Sequence, residues 1–181
     1  PAIAFDHWQT FRPTSCGRAV DRMEIRIDSP DPFKQVGEIL TKGMNVMDGY
    51  YNNPEASNTV LSPDGWLHTG DLGVLDPDGY LYIKGRSKSL ILGPSGQNIY
   101  PEEIEDLLNA QPYIAESLVI EREGKLVALV YPDAEAMKQN KISREALLKI
   151  IHETRKQINQ QIPAYSQIAK VTIYNEEFEK T

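Results

Sequence analysis

Apolar and polar residues alternate along Met23-Glu24-Ile25-Arg26-Ile27-Asp28, the period of a half-buried strand. Gly37-Glu38-Ile39-Leu40-Thr41 carries a similar strand pattern beyond a turn at Ser29-Pro30-Asp31-Pro32. Asn53 before Pro54 marks a helix start: Asn offers an acceptor to the first-turn N–H groups, and Pro sits where no intrahelical N–H is needed. Pro63-Asp64-Gly65 and Pro77-Asp78-Gly79 read as turns bracketing a segment that contains Trp66, His68 and Asp71. The first stretch, up to about Arg86, therefore reads as a β-rich lobe.

The pattern changes near Ser87. A short apolar run, Ser89-Leu90-Ile91-Leu92, meets a turn at Gly93-Pro94-Ser95-Gly96. Pro101 opens a helix with Glu102 and Glu103 in its first turn, where the dipole favours carboxylates, and Ile104, Leu107 and Leu108 mark its buried face. Strands around Leu118-Val119-Ile120 and Leu126–Val130 flank a hairpin turn at Glu123-Gly124. Ser143 caps a long helix reaching about Gln161, with Leu147, Ile150, Ile151 and Ile158 at helical spacing. A last strand runs from Lys170 to Tyr174. The fold class expected is α+β: a β-rich lobe over residues 1–86, then a smaller α+β lobe over residues 87–181.

Composition narrows the function classes without naming one. The 181 residues are 40% hydrophobic and 25% charged, ordinary for a globular chain long enough to build its own core. A net charge of -7 argues against nucleic acid as a partner and against a polybasic membrane anchor. No apolar run approaches the ~20 residues of an integral membrane segment. Cys16 is the lone cysteine, so no internal disulfide forms, no zinc-type cluster exists, and a cytoplasmic setting is expected. The chain opens at Pro1 without Met, and a trimmed piece of a longer protein is the expectation.

Three segments carry candidate chemistry. In Trp66-Leu67-His68-Thr69-Gly70-Asp71-Leu72, an Asp at a strand end can accept two hydrogen bonds from a vicinal diol such as a ribose; capping of its own turn is the competing reading. In Gly85-Arg86-Ser87-Lys88, the Arg fork can reach a phosphate or sugar oxygen, or form a surface ion pair. In Gly93-Pro94-Ser95-Gly96, Gly96 supplies a positive φ or a close path for a ligand chain, as a plain hairpin turn also would. His68, His7 and His152 have no orienting partner visible in the sequence and read as structural.

Taken in order, four segments form one set: Gly37-Glu38-Ile39 through Gly43 to Gly49-Tyr50-Tyr51-Asn52-Asn53-Pro54-Glu55-Ala56, then Gly65-Trp66-Leu67-His68-Thr69-Gly70-Asp71-Leu72, then Gly79-Tyr80-Leu81-Tyr82-Ile83-Lys84-Gly85-Arg86, then Gly96 with Ile99-Tyr100-Pro101-Glu102-Glu103-Ile104-Glu105. This set resembles the AMP-forming acyl-CoA synthetases of the adenylate-forming superfamily, and looks most like long-chain fatty-acid CoA ligases. The resemblance runs over nearly the whole chain from about Gly17. It implies that residues 1–86 are the end of a large N-terminal domain and residues 87–181 most of a mobile C-terminal domain.

By that resemblance Asp71 would bind the ribose hydroxyls of ATP, Arg86 would contact the nucleotide, and Ile83 would line the ribose–adenine side. Lys88 matches the hinge of the rotating lobe, and Gly96 the glycine past which the pantetheine arm of CoA reaches the site. The family joins an acid to ATP as an acyl-adenylate, releasing pyrophosphate, and passes the acyl group to CoA. Its substrates and cofactors are therefore ATP, Mg²⁺, CoA and, on the closest match, a fatty acid. The phosphate loop, the Glu that helps hold Mg²⁺ and the catalytic Lys have no match here, and Lys180 sits too early for that role. No catalytic or metal-ligating residue is thus expected in this chain, which by itself should be inactive. A homodimer, and a peripheral membrane position through the acyl substrate, are further expectations of this resemblance. Two other readings stay open: an aryl- or amino-acid-activating adenylation enzyme, and a non-catalytic nucleotide-binding module.

Overall fold

The computed structural model describes residues 3–179, which form two compact units, the first running to Lys88 and the second starting at Ser89. Strands and helices together give the α+β class expected, and Lys180 lies outside the described residues.

In the first unit a two-stranded ladder, β1 (Ala4–Phe5) with β2 (Arg18–Ala19), precedes a four-stranded antiparallel sheet. Its strands are β3 (Met23–Asp28), β4 (Gly37–Gly43), β5 (Leu67–Leu75) and β6 (Leu81–Arg86), paired in chain order. Between β4 and β5 lies α1 (Pro54–Val60), whose Asn53 cap accepts from Ala56 N at 3.0 Å. Alternation in β3 leaves Met23 and Ile27 buried and Glu24, Arg26 and Asp28 exposed. The buried centre is Ile27, Ile39 and Leu81, with Cys16 among the residues packed against it. The thiol is thus part of the packing.

The second unit begins with the hairpin β7 (Ile91–Leu92) and β8 (Asn98–Ile99). Then come α2 (Pro101–Asn109), β9 (Ile114–Arg122), β10 (Lys125–Pro132), α3 (Ala134–Gln139), α4 (Arg144–Gln161), a 3₁₀ turn at Ala164–Ser166, and β11 (Ile168–Ile173). The sheet order is β11-β10-β9; β9 and β10 are antiparallel, while β11 lies parallel to β10 after the crossover through α4. Helix α2 packs on β9, α4 on β11, and the helices touch each other. They bury one cluster that includes Ile99, Ile104, Leu108, Val119, Val130, Leu147, Ile151, Ile158 and Ile168.

Some sequence expectations need correction. The last strand starts at Ile168 and ends at Ile173, not Lys170 to Tyr174. Leu107 and Ile150 are half-buried, while the stripes of full burial run through Ile104–Leu108 and Leu147–Ile151–Ile158. Helix α3 was not foreseen, since six residues are too few to display a 3.6-residue period.

Glu105 of α2 accepts from Val119 N on β9 at 2.7 Å, which ties helix to sheet. Burial, against the pull of that N–H and reinforced by Glu102 and Asp106, pushes its carboxyl above the usual Glu range. No helix among the described residues is long and apolar enough to cross a membrane.

Candidate functional site

The site in the first unit is built by an irregularity in β5. Glu38 pairs with Leu72 and Leu40 with His68, so Thr69, Gly70 and Asp71 together face the single residue Ile39 of β4. Such a bulge bends a strand and re-aims the side chains beside it. Gly70 takes φ +73°, a left-handed conformation that glycine adopts at no steric cost. The Thr69 hydroxyl donates to the Ile39 carbonyl at 2.8 Å and accepts from Asp71 N at 3.0 Å. Asp71 therefore lies inside a nine-residue strand, not at the strand end that the sequence pattern implied.

On its other side β5 meets β6, and here Asp71 pairs directly with Arg86. Directly opposed residues of antiparallel strands project from the same face. Arg86 Nη1 lies 3.2 Å from Asp71 Oδ1, and Ser87 N donates to the Gly70 carbonyl at 2.9 Å. The register slips between Leu72 and Gly73, which leaves Lys84 as an extra residue in β6. The pair is open to solvent, with Arg86 58% and Asp71 34% exposed, so neither charge is sealed from a ligand. Ile83, also on β6, is 51% exposed, a bare aliphatic surface on the strand that ends at Arg86.

His68 corrects a second expectation. Its Nδ1 lies 2.9 Å from Glu38 Oε2, so the orienting partner that the sequence did not reveal is supplied by the neighbouring strand. Glu38 Oε1 also accepts from Gly70 N at 3.0 Å. The Glu38 signal was present only as one polar residue in an alternating strand, thirty positions from His68.

Lys88 stands exposed in the turn Ser87–Ser89, at the last residue of the first unit. In the second unit Gly96 occupies the β7–β8 hairpin turn at φ +80°, with its N–H donating to the Gly93 carbonyl at 2.9 Å. A Cβ built on Gly96 would meet nothing within 4 Å. The glycine is thus required by backbone conformation and leaves an open path alongside the main chain. The chemistry of these residues fits the groups expected of them: a carboxylate for a diol, a guanidinium for an anion, an aliphatic surface for a base, bare backbone for a narrow chain. Among the described residues no group of three or more His, Cys, Asp and Glu is gathered to hold a metal ion.

The family model described as the AMP-binding enzyme C-terminal domain matches residues 88–181, just over half of the chain. The chain belongs to the AMP-binding enzyme family. Among similar members, an indoleacetate–CoA ligase of Aromatoleum aromaticum is 45% identical over 64% of this chain and 24% of its own length. A long-chain-fatty-acid–CoA ligase of Gallus gallus is 39% identical over 67% of this chain and 16% of its own. In three dimensions the O-succinylbenzoate coenzyme A synthetase of Bacillus subtilis, in complex with ATP and magnesium ion, matches with a TM-score of 0.71 at 30% identity, covering 91% of this chain and 33% of that one. The chain thus spans a quarter or less of these two curated relatives. These relatives are acyl- and aryl-CoA ligases of the adenylate-forming superfamily, so the resemblance read from the four motifs holds at that level, while the acid is not selected.

Proposed function

We propose that this chain is the C-terminal part of an AMP-forming acid–CoA ligase, with residues 1–86 ending its large domain and residues 87–181 forming most of its mobile domain. The observation that carries the reading is the Asp71–Arg86 pair, aimed from one sheet face by a bulge on either side. In this role Asp71 accepts both ribose hydroxyls of ATP, Arg86 directs its fork at the nucleotide, and Ile83 lies against the ribose–adenine side. Lys88 is the hinge about which the second unit turns between adenylation and thioester formation. Such a turn lets one site present first a surface for phosphate charge and then a channel for a thiol. Gly96 borders that channel for the pantetheine arm of CoA.

For the acid, the Gly-Arg-Ser-Lys-Ser and Tyr-Pro-Glu-Glu-Ile-Glu segments favour a long-chain fatty acid, in line with the Gallus gallus relative. The more identical indoleacetate–CoA ligase favours an aromatic acid as the second reading. Thioester formation by the full-length protein, dependent on ATP, Mg²⁺ and CoA, separates them on acetate, octanoate, palmitate, benzoate and indoleacetate. Palmitate turnover supports the first reading, and selective turnover of the aromatic acids the second. No thioester and no pyrophosphate from any acid would refute the ligase assignment.

The role of Gly96 has its own test. Gly96→Leu should leave acid-dependent pyrophosphate release within about twofold while slowing thioester formation about 10²-fold, the scale of a misplaced reactant. Gly96→Ala carries the same positive-φ strain without the bulk and should keep most of the thioester rate. Equal losses in both variants would mean that strain, not obstruction, is what Leu introduces.

A further inference from the structure

We infer that Glu38 is a positioning residue for the nucleotide site, acting as a brace that holds the β5 bulge and so aims Asp71. The inference rests on the ligase reading above. Glu38 stands on β4 opposite Leu72, beside the place where the β4–β5 register breaks. Its two oxygens divide their work: Oε1 accepts from Gly70 N at 3.0 Å, and Oε2 meets His68 Nδ1 at 2.9 Å. One carboxylate thereby ties down the residues on both sides of Thr69, whose hydroxyl bonds to the intervening Ile39 carbonyl and to Asp71 N. The three adjacent residues His68, Thr69 and Gly70 are thus pinned to β4, and the next is Asp71.

The bonding has a direction. A carboxylate only accepts, so Nδ1 of His68 carries the hydrogen and the imidazole is fixed in that tautomer or as its cation. Gly70 N belongs to a residue at φ +73°, whose amide has turned out of the regular ladder. Without Glu38 that amide would lose its acceptor, which frees the bulge to relax toward regular pairing. The bulge holds two extra residues, an even number, so regular pairing would keep Asp71 on its face but shift it along β4 and away from its present place in the site. Glu38 and His68 are only partly exposed, at 27% and 39% of their side chains, so water does not fully screen the contact.

The test uses the full-length ligase and compares Michaelis constants for ATP and CoA. Glu38→Ala should raise the KM for ATP about tenfold, the scale of one lost charge-assisted hydrogen bond, with the KM for CoA within twofold. Glu38→Gln keeps an acceptor for Gly70 N and can donate to Nδ1 in the other tautomer, so it should stay within about threefold of the native value. Glu38→Asp keeps the charge but is one methylene too short to span both partners, and should fall between them; it stands in if Glu38→Ala does not fold. The deciding measurement is a double-mutant cycle with Asp71→Ala. If Glu38 acts through Asp71, the double variant is no worse than Asp71→Ala alone. Additive losses, or ATP and CoA constants rising together, would overturn the brace. An Asp71→Ala enzyme with an unchanged KM for ATP would instead remove the ribose role, and the ligase reading of this site with it.

Discussion

Asp71→Ala in the full-length protein is expected to lower kcat/KM for ATP by about 10²–10³-fold, mostly through KM. The reasoning starts from hydrogen-bond energetics. Each bond from a ribose hydroxyl to a carboxylate is charge-assisted and contributes roughly 1.5–3 kcal/mol, and in the proposed role Asp71 accepts two of them. Losing two such bonds amounts to about 3–6 kcal/mol, and every ~1.4 kcal/mol is tenfold. The expected loss corresponds to the low end of that range, as suits a solvent-open carboxylate. The ribose is remote from the acyl and phosphoryl centres, so its bonds are made alike in the ground and transition states, and their loss appears in KM before kcat. Asp71→Asn keeps one acceptor and turns the other into a donor, so it should fall between the two. Steady-state kinetics with ATP varied at saturating acid and CoA decide the matter; an unchanged KM for ATP in Asp71→Ala would exclude the ribose role.

The second large effect concerns stability. Leu108 is 0% exposed and sits in the cluster that joins α2 to the second unit's sheet and to Ile99 of the hairpin carrying Gly96. Leu108→Ala removes that side chain and leaves a cavity whose walls relax only in part, at a cost of about 2–5 kcal/mol. For a unit of this size each kcal/mol lowers the melting midpoint by about 4–8 °C, so the loss is roughly 10–40 °C. Leu107, one residue earlier and half-buried, is the control: Leu107→Ala should cost about 1 kcal/mol. Differential scanning calorimetry of both variants tests the difference, and equal losses would contradict the buried stripe described for α2.

Much of the architecture was readable because it follows from local chemistry. Strand β3 declares itself in six alternating residues, α1 in its Asn53-Pro54 start, and α4 in a Ser143 cap followed by Leu147, Ile151 and Ile158. The turn at Gly96 follows from its neighbours in the same way. What could not be read is non-local. Asp71 looked like a strand-end residue because Thr-Gly reads as a turn, whereas Gly70 in fact makes a bulge inside β5. The partnership of His68 with Glu38 spans thirty residues, and no periodicity links positions so far apart.

The sequence by itself determined the order and type of most elements, the family, and the residues that carry the candidate chemistry, because propensity, capping and motif spacing are encoded within a few residues of one another. Only the tertiary structure decided that Asp71 stands across from Arg86, that Glu38 accepts from Gly70 in the β4–β5 bulge, and that β11 joins β10 in parallel. Those relations depend on strand register, and register is chosen by burial and hydrogen bonding summed over whole strands rather than by any one segment.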